Sequence, residues 1–440
     1  MIRFFQPFAL FTALIVLASL GCDRKVAEKV NPPVASESAP TVAPVEADDP
    51  AAVKALEEAG YVLTKNSDGN VVELSISADS DISDTFEHLS GLPNVKVARF
   101  TGPGLDDKGM EALESMTQLT RLDLTDSAIS DKTLQYVGKL PNLEALFLRR
   151  AGVNDEALGE LAGLKKLRAI DLRNSNISDA GMDHLAKIKT LADIQLEKSK
   201  VTDSGIAKLA GLPLKSLNAN YCTSISNESM AVFAGMPTLE QLQLDYTKIN
   251  DKGMANLAKL SKLKRLRIRG TDVTGDGLAH VSGAKNLARL ELRDTSLDDK
   301  GVEVISKLPN VTYLDLAECR LVSPEGMKPI GKLTGLTTLG FWETKLDDDA
   351  LSAMGDLVNL QELDLKATSI TDESIETLKK FKNLKKLNVA GTQLSDDSFR
   401  ELGKLPSLVF LNVANTSIGF DVIDELAESR KDLQVKEFEN

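Results

Sequence analysis

The sequence predicts an α/β solenoid: a curved stack of about fifteen coils, with parallel strands on the concave side, helices on the convex side and a capping unit at each end. Three observations predict it. An aliphatic pattern returns about every 24 residues from Val71 almost to the end of the chain. Each coil divides into a half with period two and a half with helical period. Aromatic residues make up 5% of the chain against 42% hydrophobic, so the core must be built from Leu, Ile, Val and Ala, as stacked repeats build theirs.

The repeat comes first. Leu119-Leu122-Leu124 recurs as Leu143-Leu146-Leu148, Leu167-Ile170-Leu172 and Leu191-Ile194-Leu196. The same spacing restarts at Leu239, Leu263, Leu287, Val311, Leu336, Leu360, Leu384 and Leu408. Val71-Leu74-Ile76 and Val95-Ala98-Phe100 extend it backwards, and Leu214-Leu217-Ala219 fits after a one-residue slip. In the coil from Leu239 to Lys262, the alternation through Leu242 and Leu244 reads as a short strand with its leucines inward. Met254, Leu257 and Leu260 then follow at helical spacing. Asp179, Asp203, Asp251, Asp299, Asp372 and Asp396 are expected just before each helix, accepting the free N–H groups of its first turn. Gly181, Gly205, Gly253, Gly277 and Gly301 follow two residues on. No coil buries its leucines alone; stacking does so, at roughly 1.5–3 kcal/mol per inward side chain. Strands stack about 4.8 Å apart and helices about 10 Å apart, which predicts the curvature.

These residues resemble the leucine-rich-repeat family over about 71–430. Where many members carry Asn nine residues into the repeat, this chain has Thr247, Thr271, Thr295, Thr344, Thr368, Thr392 and Thr416, with Ser127, Ser175 and Ser199. Cys222 and Cys319 fall in the same column, so the repeats look like the cysteine-containing branch and its bacterial relatives. A buried row of hydroxyls would satisfy loop backbone groups much as Asn does. Residues 50–70 are expected to cap the first coil with a helix and a hairpin, and residues 431–440 to supply a final cap strand behind a helix at Phe420–Ser429.

The first fifty residues read as address and tether. Arg3 precedes an apolar run from Phe8 to Gly21, which as a helix spans roughly 21 Å, short of the ~30 Å of a bilayer core. Ala18-Ser19-Leu20-Gly21-Cys22 resembles the lipobox of bacterial lipoproteins, with Ser19 where that family usually has Leu. The resemblance implies a cleaved signal at 1–21 and a diacylglycerol on Cys22. Residues 22–49 hold no Leu, Ile or aromatic residue and are rich in proline, a composition of disordered linkers reaching about 30 Å on average. The expected location is the bacterial cell envelope, lipid-anchored to a membrane with the solenoid outside the cytoplasm.

Composition narrows function. A net charge of −13 gives no general attraction for phosphate backbones, so no nucleic-acid partner is expected. Cys222 and Cys319 lie four coils apart, beyond disulfide reach. His88, His184 and His280 share one helix position, each pair separated by about 20 Å of stacked strands, so they serve neither one metal nor one triad. Acidic runs such as Asp298-Asp299 and Asp347-Asp348-Asp349 belong at helix entries. No phosphate loop, dinucleotide fingerprint or nucleophile elbow appears, so no catalytic residue, metal or cofactor is assigned and no enzyme activity is expected.

The concave face is where a binding site is expected. Arg265, Arg267, Arg269, Arg289 and Arg293 project from it in columns, implying either a bound anion or bridging by Asp245, Glu291, Asp294 and Asp315. Tyr221, Tyr246, Tyr313 and the lone Trp342 are predicted on the same face, and Arg, Tyr and Trp dominate interface hot spots. A second basic group is Arg121, Arg149, Arg150 and Arg173. The expected function is recognition of a protein partner through this face. The alternatives are an anionic polysaccharide or other cell-wall polymer, and an architectural, self-associating role.

Overall fold

The computed structural model describes residues 46–438; the signal, Cys22 and most of the tether lie outside them. Seventeen strands form one open sheet. The first, Val62–Lys65, pairs antiparallel with the second, Val71–Ser77. From there every strand pairs parallel with the next, as Leu266 beside Leu290 and Leu290 beside Leu314, up to Gln434–Lys436. The fold is that of an α/β leucine-rich-repeat solenoid.

The three aliphatic positions of each strand half lie in one continuous core: Leu239, Leu242 and Leu244, or Leu263, Leu266 and Ile268, are fully buried. The helical halves cover the other side of that core. Some are α-helical, such as Asp179–Leu185 and Asp299–Ile305. Others are 3₁₀, such as Glu156–Gly163 and Met110–Ser115. These segments are too short for helix propensity to hold them, and packing decides their form. His88, His184 and His280 all sit in this layer. No helix among the described residues is long and apolar enough to cross a membrane.

The first coil is covered by the helix Pro50–Glu58, capped by the Asp49 carboxylate, which accepts the Ala51 N–H. Leu56 and Tyr61 reach into the core there. At the other end Phe420–Ser429 packs Val422 and Leu426 inward, and Arg430 donates to the carbonyls of Gly403, Leu405 and Leu408.

Coil length varies without disturbing the sheet. The coils starting at Leu214 and Val311 each carry one extra residue, yet Ser216 pairs with Gln241 and Tyr313 with Thr338 in unbroken register. The surplus is absorbed in the bends at 223–224 and 320–323, where Leu321 is pushed into solvent.

The Thr, Ser and Cys column is the expected ladder. Thr247, Thr271, Thr295, Thr344 and Thr368 each donate their hydroxyl to the carbonyl three residues earlier at 2.6–2.7 Å. Both cysteines are buried free thiols within it, donating to Leu196 and Leu292 of the preceding coil.

The aspartates before the helices act differently from the expectation. Each occupies the first helical residue, and in five of the six the residue ahead of it caps the helix, as Ser178 for Asp179, Thr202 for Asp203 and Asn250 for Asp251; Ser395 ahead of Asp396 makes no side-chain cap bond. The carboxylate reaches instead into the next coil. Asp179 accepts the backbone N–H of Thr202 at 2.8 Å and its hydroxyl at 2.6 Å. Asp251 does the same to Thr274, Asp299 to Ser323 and Asp203 to Ser226, while Asp372 and Asp396 take the N–H groups of Ser395 and Gly419. They are clamps between coils. The reason is steric: a first-turn carboxylate has its own cap residue in front of it, and the neighbouring coil's cap lies within reach.

This clamp explains the glycines two residues on. A Cβ at Gly205, Gly253 or Gly277 would collide with the clamping side chain of the preceding coil, Asp179, Asn227 or Asp251. Where that position is Ser or Thr, the side chain joins the clamp instead: Thr133 donates to Asp107, Ser229 to Asp203, Ser374 to Asp348 and Ser398 to Asp372. The glycine makes room or the hydroxyl donates.

Candidate functional site

Alternate residues of each strand stand on the solvent side of the sheet, and parallel register aligns them in columns. Arg265 lies beside Arg289, and Arg289 beside Tyr313; Arg267, Glu291 and Asp315 form the next column. Five like charges in this space repel unless compensated, and the structure compensates each of them from within the chain.

Glu291 is the hub. Its side chain is 1% exposed, and its carboxylate meets Arg265 at 2.8 Å, Arg289 at 2.6 Å and Arg269 at 2.9 Å, with Arg267 at 3.6 Å. Burial pushes its pKa up, but the hydrogen bond from Arg289 and the surrounding guanidinium charges outweigh that and hold it low. Asp245, wholly buried, takes Arg267 at 2.6 Å and the Arg269 backbone N–H at 3.0 Å. Burial wins there, and its pKa is raised. Asp315 takes Arg269 at 2.9 Å. Arg293 is held by Glu318, a partner the sequence reading missed, and Asp294 makes no ion pair with any of the five. Of the two alternatives the columns left open, bridging is what forms.

Two of the aromatics belong to this surface. The Arg289 guanidinium stacks 3.6 Å from the Tyr313 ring centroid. Arg293 and Lys366 stand over the Trp342 ring at 4.2 and 4.9 Å. The other two stand apart. Tyr221 and Tyr246 sit one residue beyond the strand face, at the rim, with backbone φ of 59° and 52°. Their rings stack on each other at 4.8 Å, Lys198 covers Tyr221, and the ring of Tyr246 lies against Gly270, where a Cβ would strike it. Both ring faces are therefore occupied, although the two residues remain 39% and 36% exposed.

That rim is a general feature the sequence did not reveal. The eighth residue of every coil from Gly102 to Asn415 has positive φ, fourteen in all, and eleven are not glycine. Such a conformation costs roughly 1–2 kcal/mol for an L-residue. Thirteen of these N–H groups, all but that of Asn415, donate to a carbonyl of the next coil, as Tyr221 to Asp245 at 2.7 Å, Tyr246 to Arg269 at 2.7 Å and Glu318 to Trp342 at 2.7 Å. Side-chain identity in that column is too varied to betray it.

Three of the four arginines of the second basic group are likewise matched by carboxylates. Arg149 and Arg150 pair with Asp126, Arg173 with Asp171 at 2.6 Å, and Arg121 stacks 4.1 Å from Phe147. Among the described residues no group of three or more His, Cys, Asp or Glu is placed to hold a metal ion.

Comparison with known proteins agrees with this architecture. The leucine-rich-repeat family profile matches residues 163–186, 235–258 and 307–331. No curated protein matches the sequence. Among solved structures, a leucine-rich-repeat protein of Leptospira interrogans aligns with a TM-score of 0.51 at 16% identity, over 80% of this chain and 86% of that one. An internalin of Listeria monocytogenes aligns with a TM-score of 0.43 at 19% identity, over 91% of this chain and all of the other.

Proposed function

We propose that this leucine-rich-repeat chain is a non-catalytic recognition protein that holds a protein partner against the open face of its sheet, around Arg289, Tyr313 and Trp342. One observation carries the reading: the arginines there are already fixed by carboxylates. A surface meant for an anionic polymer would keep its guanidinium groups free to replace counterions. A surface of held arginines and aromatic rings is preorganised, and loses little side-chain entropy when a complementary protein covers it. Diacylglycerol on Cys22 would tether this module to a membrane of the bacterial envelope, with residues 23–49 as spacer.

The test is capture of envelope proteins by the full chain and by its Arg289→Ala and Trp342→Ala variants, with capture repeated at high salt. A protein retained by the parent chain and lost with either variant is the expected result. Identical captured sets would remove this face from consideration, and a polymer released by salt would replace the reading. Mass spectrometry of the mature N-terminus checks the anchor separately.

A further inference from the structure

One arginine of the sheet face is left without a counter-charge. Arg121 stacks on Phe147, yet no carboxylate among the described residues lies within ion-pair distance of it, and its buried Nε has no hydrogen-bond partner. Every other arginine of this face is held, Arg99 by Glu73, Arg173 by Asp171 and the cluster around Glu291 as described. Burial lowers the pKa of Arg121 and the neighbouring Arg99 lowers it further, outweighing the attraction of Asp123 and Glu73. Asp123, the acid on the same strand, turns one oxygen to the Thr125 backbone N–H at 3.0 Å instead.

The opposite deficit lies in the same column. Register places Arg121 beside Ala145, Ala145 beside Ala169 and Ala169 beside Asp193. Asp193 accepts the Gln195 amide at 2.5 Å and the Ser216 hydroxyl, both neutral donors, and among the described residues no cation lies within ion-pair distance of it. Burial raises its pKa despite those bonds. Glu197, just past that strand, likewise meets only an amide, that of Asn218 at 3.4 Å. Between the free guanidinium and the free carboxylate this column carries only the methyl groups of Ala145 and Ala169. Arg121 and Asp193 are three strand steps, or about 14 Å, apart. In an extended chain residues i and i+4 point the same way and lie about 13–14 Å apart, so the two spacings agree.

We propose that this column receives an extended segment of the protein partner, which sets an Asp or Glu side chain on Arg121 and, four residues away, a Lys or Arg side chain on Asp193, with the residue midway lying over Ala145 and Ala169. This rests on the reading of the sheet face as a protein-binding surface and adds a contact four strands before Arg289. A guanidinium stacked on a ring keeps its in-plane N–H donors for a carboxylate. Both charges are already partly removed from water, so pairing them costs little further desolvation on this side. A polymer of one sign would match one end of the column and be repelled at the other.

The probe is the peptide acetyl-Glu-Ser-Ala-Ser-Lys-amide, titrated into the full chain and followed by the methyl NMR signals of Ala145 and Ala169. Two relatives, one with Gln for its Glu and one with Gln for its Lys, remove each charge in turn. The parent peptide is expected to bind saturably and each relative at least about threefold more weakly, as for a partly exposed ion pair. Arg121→Gln should abolish the difference made by the peptide's Glu and keep that made by its Lys, and Asp193→Asn should do the converse. Equal affinity of the three peptides for the unaltered chain would overturn the proposal without use of any variant. So would a Glu-dependent difference that survives in Arg121→Gln. Should the parent peptide fail to bind while the chain still captures a protein through Trp342, this contact falls and the wider reading stands.

Discussion

Replacing a helical glycine with alanine ordinarily stabilises a helix by about 1 kcal/mol. The coil clamp predicts the reverse at Gly253. A Cβ there would strike the amide oxygen of Asn227, whose side chain joins the two coils by accepting the Asn250 N–H at 3.1 Å and donating to the Asn250 side chain at 2.8 Å. To admit the methyl group, Asn227 must swing away. Two half-buried hydrogen bonds are lost at about 1 kcal/mol each, and overpacking adds roughly 1–3 kcal/mol. Set against the helix gain, Gly253→Ala should destabilise by about 2–4 kcal/mol. Asn227→Ala alone should cost about 1–2 kcal/mol. In the double variant the collision is gone and the helix gain returns, so Asn227→Ala/Gly253→Ala should lie within about 1 kcal/mol of the parent and be more stable than Gly253→Ala alone. Urea unfolding supplies the cycle, and hydrogen exchange of the Asn227 and Asp251 helices checks that the effect is local, as stacked coils need not unfold together. A neutral or stabilised Gly253→Ala, or a double variant as unstable as the sum of the two, would refute the clamp.

Further outcomes follow from the same network. Glu291→Gln leaves four partly exposed arginines around a neutral hub and should lower stability by about 2–4 kcal/mol by urea titration, a buried-pair penalty reduced for solvent screening; a change under about 0.5 kcal/mol would contradict the hub. The clamps set a pH dependence. Hydrogen bonds from Ser226 and Ser229 outweigh burial and hold Asp203 below the usual carboxylate range, and those from Ser395 and Ser398 lower Asp372. Such groups stabilise fully above their unfolded pKa near 4, and the contribution fades as pH falls through the lowered folded value. The urea midpoint should therefore drop between pH 5 and pH 2, both approximate limits, and Asp203→Asn should drop less steeply. Burial pushes the Cys319 thiol up to about 11 and raises Cys222, so both should resist a thiol reagent near neutral pH until the chain is unfolded. Cys319→Thr, which restores the column's usual hydroxyl, should change stability by less than about 1 kcal/mol.

What could be read from the sequence was whatever repeats as a side-chain pattern. The 24-residue period fixes which leucines face inward, and Leu242, Leu266 and Leu290 are fully buried in adjacent strands. The hydroxyl column was legible for the same reason. What escaped were relations between coils whose partners lie about 23 residues apart. The clamp of Asp179 on Thr202 looks from sequence like a cap on its own helix, because both readings put the same carboxylate at the same helix entry. The left-handed rim escaped because Tyr221, Asp294, Glu343 and Ala367 share a backbone state and no chemistry; a neighbouring coil's carbonyl imposes it. At the candidate site the arginine columns were legible and their compensation was partly so: Glu291, Asp245 and Asp315 were in view, and Glu318 was not.

Since surplus residues are taken up in the bends while the strands keep their register, the sheet works as a ruler. Gain or loss of one whole coil would move everything beyond it by a single strand spacing, about 4.8 Å, and leave the chemistry on either side intact. The distance from the Glu291 hub to the coil of Trp342, two steps at present, is thus a quantity that duplication alone can retune. A lineage could fit a longer or shorter contact on its target without altering any residue that makes one.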